Sequence, residues 1–355
     1  MTNRILTFFL ITTISSFNFI YAQNERPQDL VVKFLDIVEE KAYMSPTIKW
    51  DSVRPIFIEE TKNVKESSEL QPYFKKFLKQ LKDYHSGVFY TENQTDEEED
   101  NNELLKLYAT TTYEENGLTP PNFLHQLIDK KYAYINIPPV TIELKNYIKT
   151  IGIQLDELDK KNPKAWIFDL TENEGGNIMP MLWQMYYLID GNIAYMDIES
   201  NGKENNTNKA MWDTTGEDKD GLMFFELSGL NDEKLQPKKT VNTNIPIVIL
   251  TSEKTASSGE FFAATFKGQK NVTLIGQKTN GLTSGNEALV LNKNYVINLT
   301  TGVLKDKTGK IYKIGEGIEP DIHFEIEKNL TLKDYEKQEI KQKYLDAAKK
   351  YLEQN

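Results

Sequence analysis

The sequence predicts an α/β fold with a largely parallel sheet, preceded by a small helical N-terminal domain. Between Lys131 and Gly276, short apolar runs alternate with amphipathic stretches, as strands do when helical crossovers join them. The runs KAWIFDL (164–170) and IPIVIL (245–250) have almost no polar interruption, which fits strands covered on both faces. Upstream, residues 28–84 carry apolar residues at helical spacing instead.

In order, DLVVKFLDIVEEKAYM and SELQPYFKKFLKQLKDY read as helices, and the acidic run TENQTDEEEDNNELLK reads as a solvated loop. YAYINI (132–137) is β-rich and ends at Pro138-Pro139, and IELKNYIKTIGIQLDELDKK is an amphipathic helix. A tight NEGGN loop precedes IMPMLWQMYYLI, a further helix, and a polar stretch follows from about residue 201 to 244. SGEFFAATF is a helix and VTLIG (272–276) a strand. EALVLNKNYVINLTTGVL and GKIYKIGEGIEPDIHFEI both look like hairpins, and the last 24 residues form a charged helix.

Composition removes several classes of function. A net charge of −11 argues against nucleic-acid binding, which needs clustered Lys and Arg. The absence of cysteine excludes disulfides, thiolate metal sites and cysteine nucleophiles, and three histidines make a His-rich metal site improbable. No metal site is therefore expected; no organic cofactor is expected either. The opening MTNRILTFFLITTISSFNFIYAQNE has the cationic start, apolar run and small Ala22 of a secretory signal peptide cut after that residue. Its run is short and Thr/Ser-rich for a stable span, so no membrane span is expected after cleavage. Export to the periplasm or the extracellular medium follows.

The segment IPIVILTSEKTASSGEFFAATF places Ser257 between a buried strand and a helix N-terminus, where free N–H groups favour a developing anion. On position alone, Ser257 or Ser258 as a plain N-cap is the favoured reading. In FDLTENEGGN, Gly175-Gly176 let the backbone approach a ligand from the same sheet edge. An oxyanion hole can then draw one N–H from Ser258 and another from the paired glycines. His85, in LKDYHSGVFY, is of the residue type most used to activate a serine, whereas His125 and His323 have no motif around them.

The ordered set of these segments resembles peptidase family S41, which includes the tail-specific, C-terminal processing proteases and the tricorn core protease. LKDYHSG is similar to the L-x-D-x-H-[ST] segment of the tricorn-like branch, and KYAYINIPP to the strand ahead of the catalytic core. WIFDLTENEGGN resembles D-L-R-x-N-x-G-G, and TASSGE resembles the T-[AS]-S-x-[SG]-E nucleophile segment. LIGQKTNG is similar to I-G-E-x-T-x-G, and GEGIEPDI to the closing G-V-x-P-D; the match spans about residues 80–325. The resemblance implies a crotonase/ClpP-like core, Ser257 as nucleophile, and oxyanion donors from Ser258 and the Gly175-Gly176 loop. It implies a peptide or protein substrate and leaves assembly into a homo-oligomer open.

Thr171 stands where the family usually has Arg, and Leu282 where processing proteases place their lysine base. The tricorn-like branch uses a histidine from the segment matched by His85, with a glutamate near the end of the domain. That implies His85 as general base and a carboxylate in GEGIEPD as its orienting acid, Glu316 before Glu319. Glu260 is the alternative acid and Lys278 the alternative base. Only 131 − 85 = 46 positions separate His85 from Lys131, roughly half of what the PDZ domain of the processing proteases needs. The expected organisation is a signal peptide over 1–22 and a helical domain carrying His85 over 23–128. A catalytic domain over 129–328 and a charged helix over 329–355 follow. The expected function is an exported serine-type endopeptidase; a degenerate S41 fold that only binds peptide or an apolar ligand is the competing expectation.

Overall fold

The computed structural model describes residues 26–90, 111–208, 235–237, 243–327 and 330–355. The expected signal peptide, the acidic run at 91–106 and most of the polar stretch after residue 208 lie outside the described residues.

Three helices open the described chain: α1 (Pro27–Lys41), α2 (Trp50–Thr61) and α3 (Gln71–Leu81). Helix α1 buries Leu30, Val31, Phe34, Leu35 and Val38, and α3 buries Phe74, Phe77, Leu78 and Leu81. Both sets follow the i, i+3/i+4 spacing of a single stripe. Phe34 stacks on Phe74 with ring centroids 4.1 Å apart, and Phe57 of α2 closes the cluster. The stripe does not close on itself. It also covers Leu291, Tyr295, Ile297 and Leu299, so the helices share one core with a sheet formed near the other end of the chain.

That sheet is antiparallel and runs β1 (Gly87–Tyr90), β10 (Tyr295–Lys305), β5 (Ile193–Glu199), β6 (Glu204–Asn208), with β9 (Ser284–Asn292) also on β10. Strand β10 takes β9 along one edge and divides the other between β1 and β5. The β9–β10 hairpin matches the expectation for 287–304. The β5–β6 hairpin is additional, built on ENNTN, which has little apolar signature.

The second sheet has six strands in the order β11 (Ile322–His323), β8 (Val272–Gly276), β7 (Ile247–Thr251), β4 (Ala165–Asp169), β3 (Tyr132–Asn136), β2 (His125–Ile128). All neighbours are parallel except β2 and β3. Helices α4 (Leu144–Asp159), α5 (Ile178–Trp183) and α6 (Ser258–Phe266) cover one face. The other face meets α7 (Leu332–Tyr335) and α8 (Gln338–Gln354). Along β4, Trp166 and Phe168 point into the first core while Ala165 and Ile167 point into the second. Cover on both faces is why this strand is apolar throughout.

Two expectations are corrected. The helix expected over 178–189 stops at Trp183 and continues as turns. The hairpin expected over 309–326 does not form: Ile322–His323 instead pairs parallel to β8. Gly317 packs so closely that a Cβ there would sit 2.1 Å from the Thr279 carbonyl. Backbone that tight against a loop has no room for a regular antiparallel ladder.

Candidate active site

Strands β4, β7 and β8 are neighbours, so the loops leaving their carboxyl ends meet at one edge of the parallel sheet, the usual place for a site. The loop after β7 ends in Ser257, whose backbone is at φ 50°, ψ −119°. A non-glycine residue held there is strained, and such strain persists only where its surroundings enforce it. The same sharp strand-to-helix turn presents the nucleophile in α/β-hydrolases. Ser257 is only 6% exposed and immediately precedes α6.

Glu260, one turn into α6 and fully buried, enforces the turn. Its carboxylate accepts the Ser257 N–H at 3.0 Å, as the third residue of a capping box does. It also accepts the Thr279 hydroxyl, the Gly281 N–H at 2.9 Å and the Leu282 N–H. Burial pushes this carboxyl up to about 7, against the pull of those donors. One side chain therefore ties the Ser257 elbow to the loop after β8.

The loop after β4 packs against the elbow from the other side. Asn173, fully buried, accepts the Ala256 N–H on its carbonyl at 2.9 Å and the Gly175 N–H on its side chain at 2.8 Å. Gly175 and Gly176 have φ of 114° and 116°, a region that favours glycine. A Cβ on Gly175 would fall 2.7 Å from the Ser257 Cβ, and one on Gly176 would fall 2.0 Å from the Val140 carbonyl oxygen. The two glycines differ in what remains free. The Gly175 N–H is spent on Asn173, whereas the Gly176 N–H has no acceptor among the described residues. Ser258, as first residue of α6, also has an N–H without an intrahelical acceptor. Its hydroxyl donates to the Gly176 carbonyl at 2.5 Å, fastening the two donors side by side. Of the loop expected to supply one such N–H, Gly176 is thus the glycine whose N–H is left without an acceptor among the described residues.

His85 sits between α3 and β1, partly buried. Helix α3 ends with Lys82 in the left-handed region, and the buried Asp83 carboxylate then accepts the N–H groups of His85 (3.1 Å) and Ser86 (2.9 Å). It also accepts the Ser86 hydroxyl at 2.6 Å. The side-chain amides of Asn286 and Asn298 donate to the His85 carbonyl at 3.2 and 3.3 Å. The ring Nδ1 lies 2.8 Å from Ser284 Oγ. Burial pushes the imidazole down to about 4, with the Ser284 backbone pulling the other way. Ser284 follows Leu282 by two positions, so the loop held by Glu260 runs directly into the residue that holds His85.

The expected orienting acids are elsewhere. Glu316 pairs with Lys310 at 2.8 Å and accepts the Lys313 N–H, and the Lys310 hydrogen bond holds its carboxyl below the usual range. Glu319 pairs with Lys278 at 2.9 Å and with His323 at 3.4 Å. Lys278 is 49% exposed and held in its ion pair with Glu319. Glu260 is engaged with the elbow rather than with the His85 ring. Sequence reasoning missed Ser284 and Asn173. The asparagine lay in the quoted D-L-x-x-N-x-G-G pattern, whereas Ser284 had no local signal. Among the described residues, no group of three or more His, Asp or Glu is arranged to hold a metal ion, and no helix is long and apolar enough to cross a membrane.

A mostly parallel sheet with a strained serine before a helix and a paired-glycine loop beside it defines a hydrolase-type site. Over residues 131–324, more than half of its length, the chain matches peptidase family S41 and belongs to it. It is 27% identical over 306 residues to a nisin-resistance protein of Lactococcus lactis subsp. lactis, covering 85% of each chain. With the carboxy-terminal processing protease CtpA of Bacillus subtilis (strain 168) it shares 27% identity over 215 residues, 59% of this chain and 38% of that one. A solved lipoprotein structure from Streptococcus agalactiae superposes with a TM-score of 0.68 at 22% identity, covering 94% of this chain and 99% of that one. The protein is thus an S41-family peptidase, with peptide or protein chains as its substrates.

Proposed function

We propose that the protein is an exported serine-type endopeptidase in which Ser257 is the nucleophile, His85 the general base, and the Ser258 and Gly176 N–H groups the oxyanion hole. The observation that carries this reading is the φ of 50° at Ser257, kept in place by Glu260 and Asn173. His85 uses Nδ1 toward Ser284, leaving Nε2 to take the Ser257 proton. The Ser257 Oγ attacks the peptide carbonyl, and the oxyanion forms against the two N–H groups, where the helix dipole also favours negative charge. His85 then returns its proton to the leaving amine, and water enters the acyl-enzyme by the same base. The depressed imidazole supports this role because it keeps the base neutral at physiological pH. Relatives named for nisin resistance and for carboxy-terminal processing fit peptide chains as the substrate class.

Peptide cleavage by Ser257→Ala, His85→Ala and Lys278→Ala tests the assignment. Ser257→Ala should be inactive, His85→Ala should lose about 10²- to 10⁴-fold in kcat, and Lys278→Ala should match the wild type. Loss of acylation in Lys278→Ala with retention in His85→Ala would reverse the choice of base. Equal cleavage by Ser257→Ala and wild type would remove the nucleophile.

A further inference from the structure

We propose that Ser284 is the positioning residue of this site: its Oγ accepts the Nδ1 proton of His85 and so fixes the tautomer whose Nε2 is basic. The inference rests on the assignment of His85 as the base. Its physical ground is the 2.8 Å contact between His85 Nδ1 and Ser284 Oγ, made by a serine only 2% exposed. Ser284 opens β9 and pairs with Val303 of β10, so its hydroxyl is carried on a strand rather than a free loop. The His85 backbone is pinned to the same two strands through Asn286 and Asn298. Ring and partner therefore move as one body.

The three carboxylates that could have taken this place are committed elsewhere: Glu260 to the elbow, Glu316 to Lys310 and Glu319 to Lys278. Among the described residues no carboxylate is hydrogen-bonded to the His85 ring. A hydroxyl can accept from Nδ1–H and fix the tautomer, but it is neutral and adds no charge to offset an imidazolium. During acylation the Ser257 proton moves to Nε2, while the Nδ1 proton stays shared with Ser284 and is never transferred. The site is thus built on a neutral relay, and its base should be weaker than one backed by a carboxylate. The Ser284 main chain, which also favours the protonated ring, offsets this only in part.

Replacing the hydroxyl should move observables that a merely structural residue would not. Ser284→Ala should lower kcat about 10- to 100-fold at unchanged KM, as loss of a partner that orients an imidazole does. Ser284→Thr, which keeps the oxygen, should recover most of the rate. Ser284→Asp supplies the missing charge and should raise the acid limb of the acylation rate by more than about one pH unit. In the unsubstituted protein, ¹⁵N NMR of His85 at neutral pH should show a protonated Nδ1 and a bare Nε2. The opposite tautomer overturns the proposal without any variant. So does a Ser284→Ala enzyme with wild-type kcat alongside an inactive His85→Ala. If His85→Ala is itself active, the choice of base has failed and the inference falls with it.

Discussion

At the scale of single residues, the acid limb of activity follows from burial of one imidazole. An ordinary histidine titrates near 6.5, whereas His85 is pushed down to about 4. With His85 as the proposed general base, which must be unprotonated to act, kcat/KM should hold nearly level from neutral pH to about pH 5 and fall toward pH 4. A limb centred near 6.5 would mean that the ring is solvated or is not the base. Gly176 gives a second prediction. A methyl there meets the Val140 carbonyl in a backbone region that disfavours side chains, so Gly176→Ala should abolish cleavage by displacing the proposed oxyanion donor. Much of the proposed site was legible from chain order: Ser257, the paired glycines and His85 stand in recognisable segments. Ser284 was not, because it and His85 are 199 positions apart and meet only when β1 and β9 both pair with β10.

At the scale of elements, Glu260 and His85 pull stability in opposite directions with pH. His85 has a folded value below its unfolded one, so the unfolded chain binds more protons between about pH 4 and 6.5, and stability rises with pH there. Glu260 has a folded value raised from 4.5 to about 7, so the folded chain binds more protons in that window and stability falls as pH rises. Glu260→Gln removes the second contribution; its single amide oxygen keeps only part of the acceptor set, a cost that does not vary with pH. Its unfolding free energy should climb more steeply from pH 4.5 to 6.5 than that of the wild type in denaturant titrations. Parallel curves would show that Glu260 does not titrate in this range. Element type was readable where packing is two-sided or strongly amphipathic: α6 lies where SGEFFAATF placed it, and β4 lies within KAWIFDL. Helix α2 was hidden by Pro55, and β2 and β6 by exposed polar residues, since their pairing is set by neighbours rather than by their own pattern.

For the whole molecule, the shared core between the N-terminal helices and β9–β10 links stability to catalysis. Phe74 is fully buried between Phe34 and Tyr295, so Phe74→Ala should cost about 3–5 kcal/mol of unfolding free energy. Because α3 leads into His85, the same variant should lower kcat even under conditions where it remains folded. A purely global destabilisation would leave kcat per folded molecule unchanged. The proposed export is tested at this scale too: mass spectrometry of the protein recovered outside the cytoplasm should find Gln23 as its first residue, and a start at Met1 would contradict cleavage after Ala22. The α/β class and the sheet's parallel character were evident from the alternation of apolar runs. The antiparallel sheet was not, since its strands come from three separate parts of the chain.

The most direct measurement is to treat the mature protein with a fluorophosphonate, digest it, and locate the adduct by tandem mass spectrometry. The proposed chemistry predicts one adduct on Ser257, formed at a rate that collapses in His85→Ala and absent from Ser257→Ala. An adduct on Ser258 or another residue, or an unmodified protein that still cleaves peptides, would contradict it.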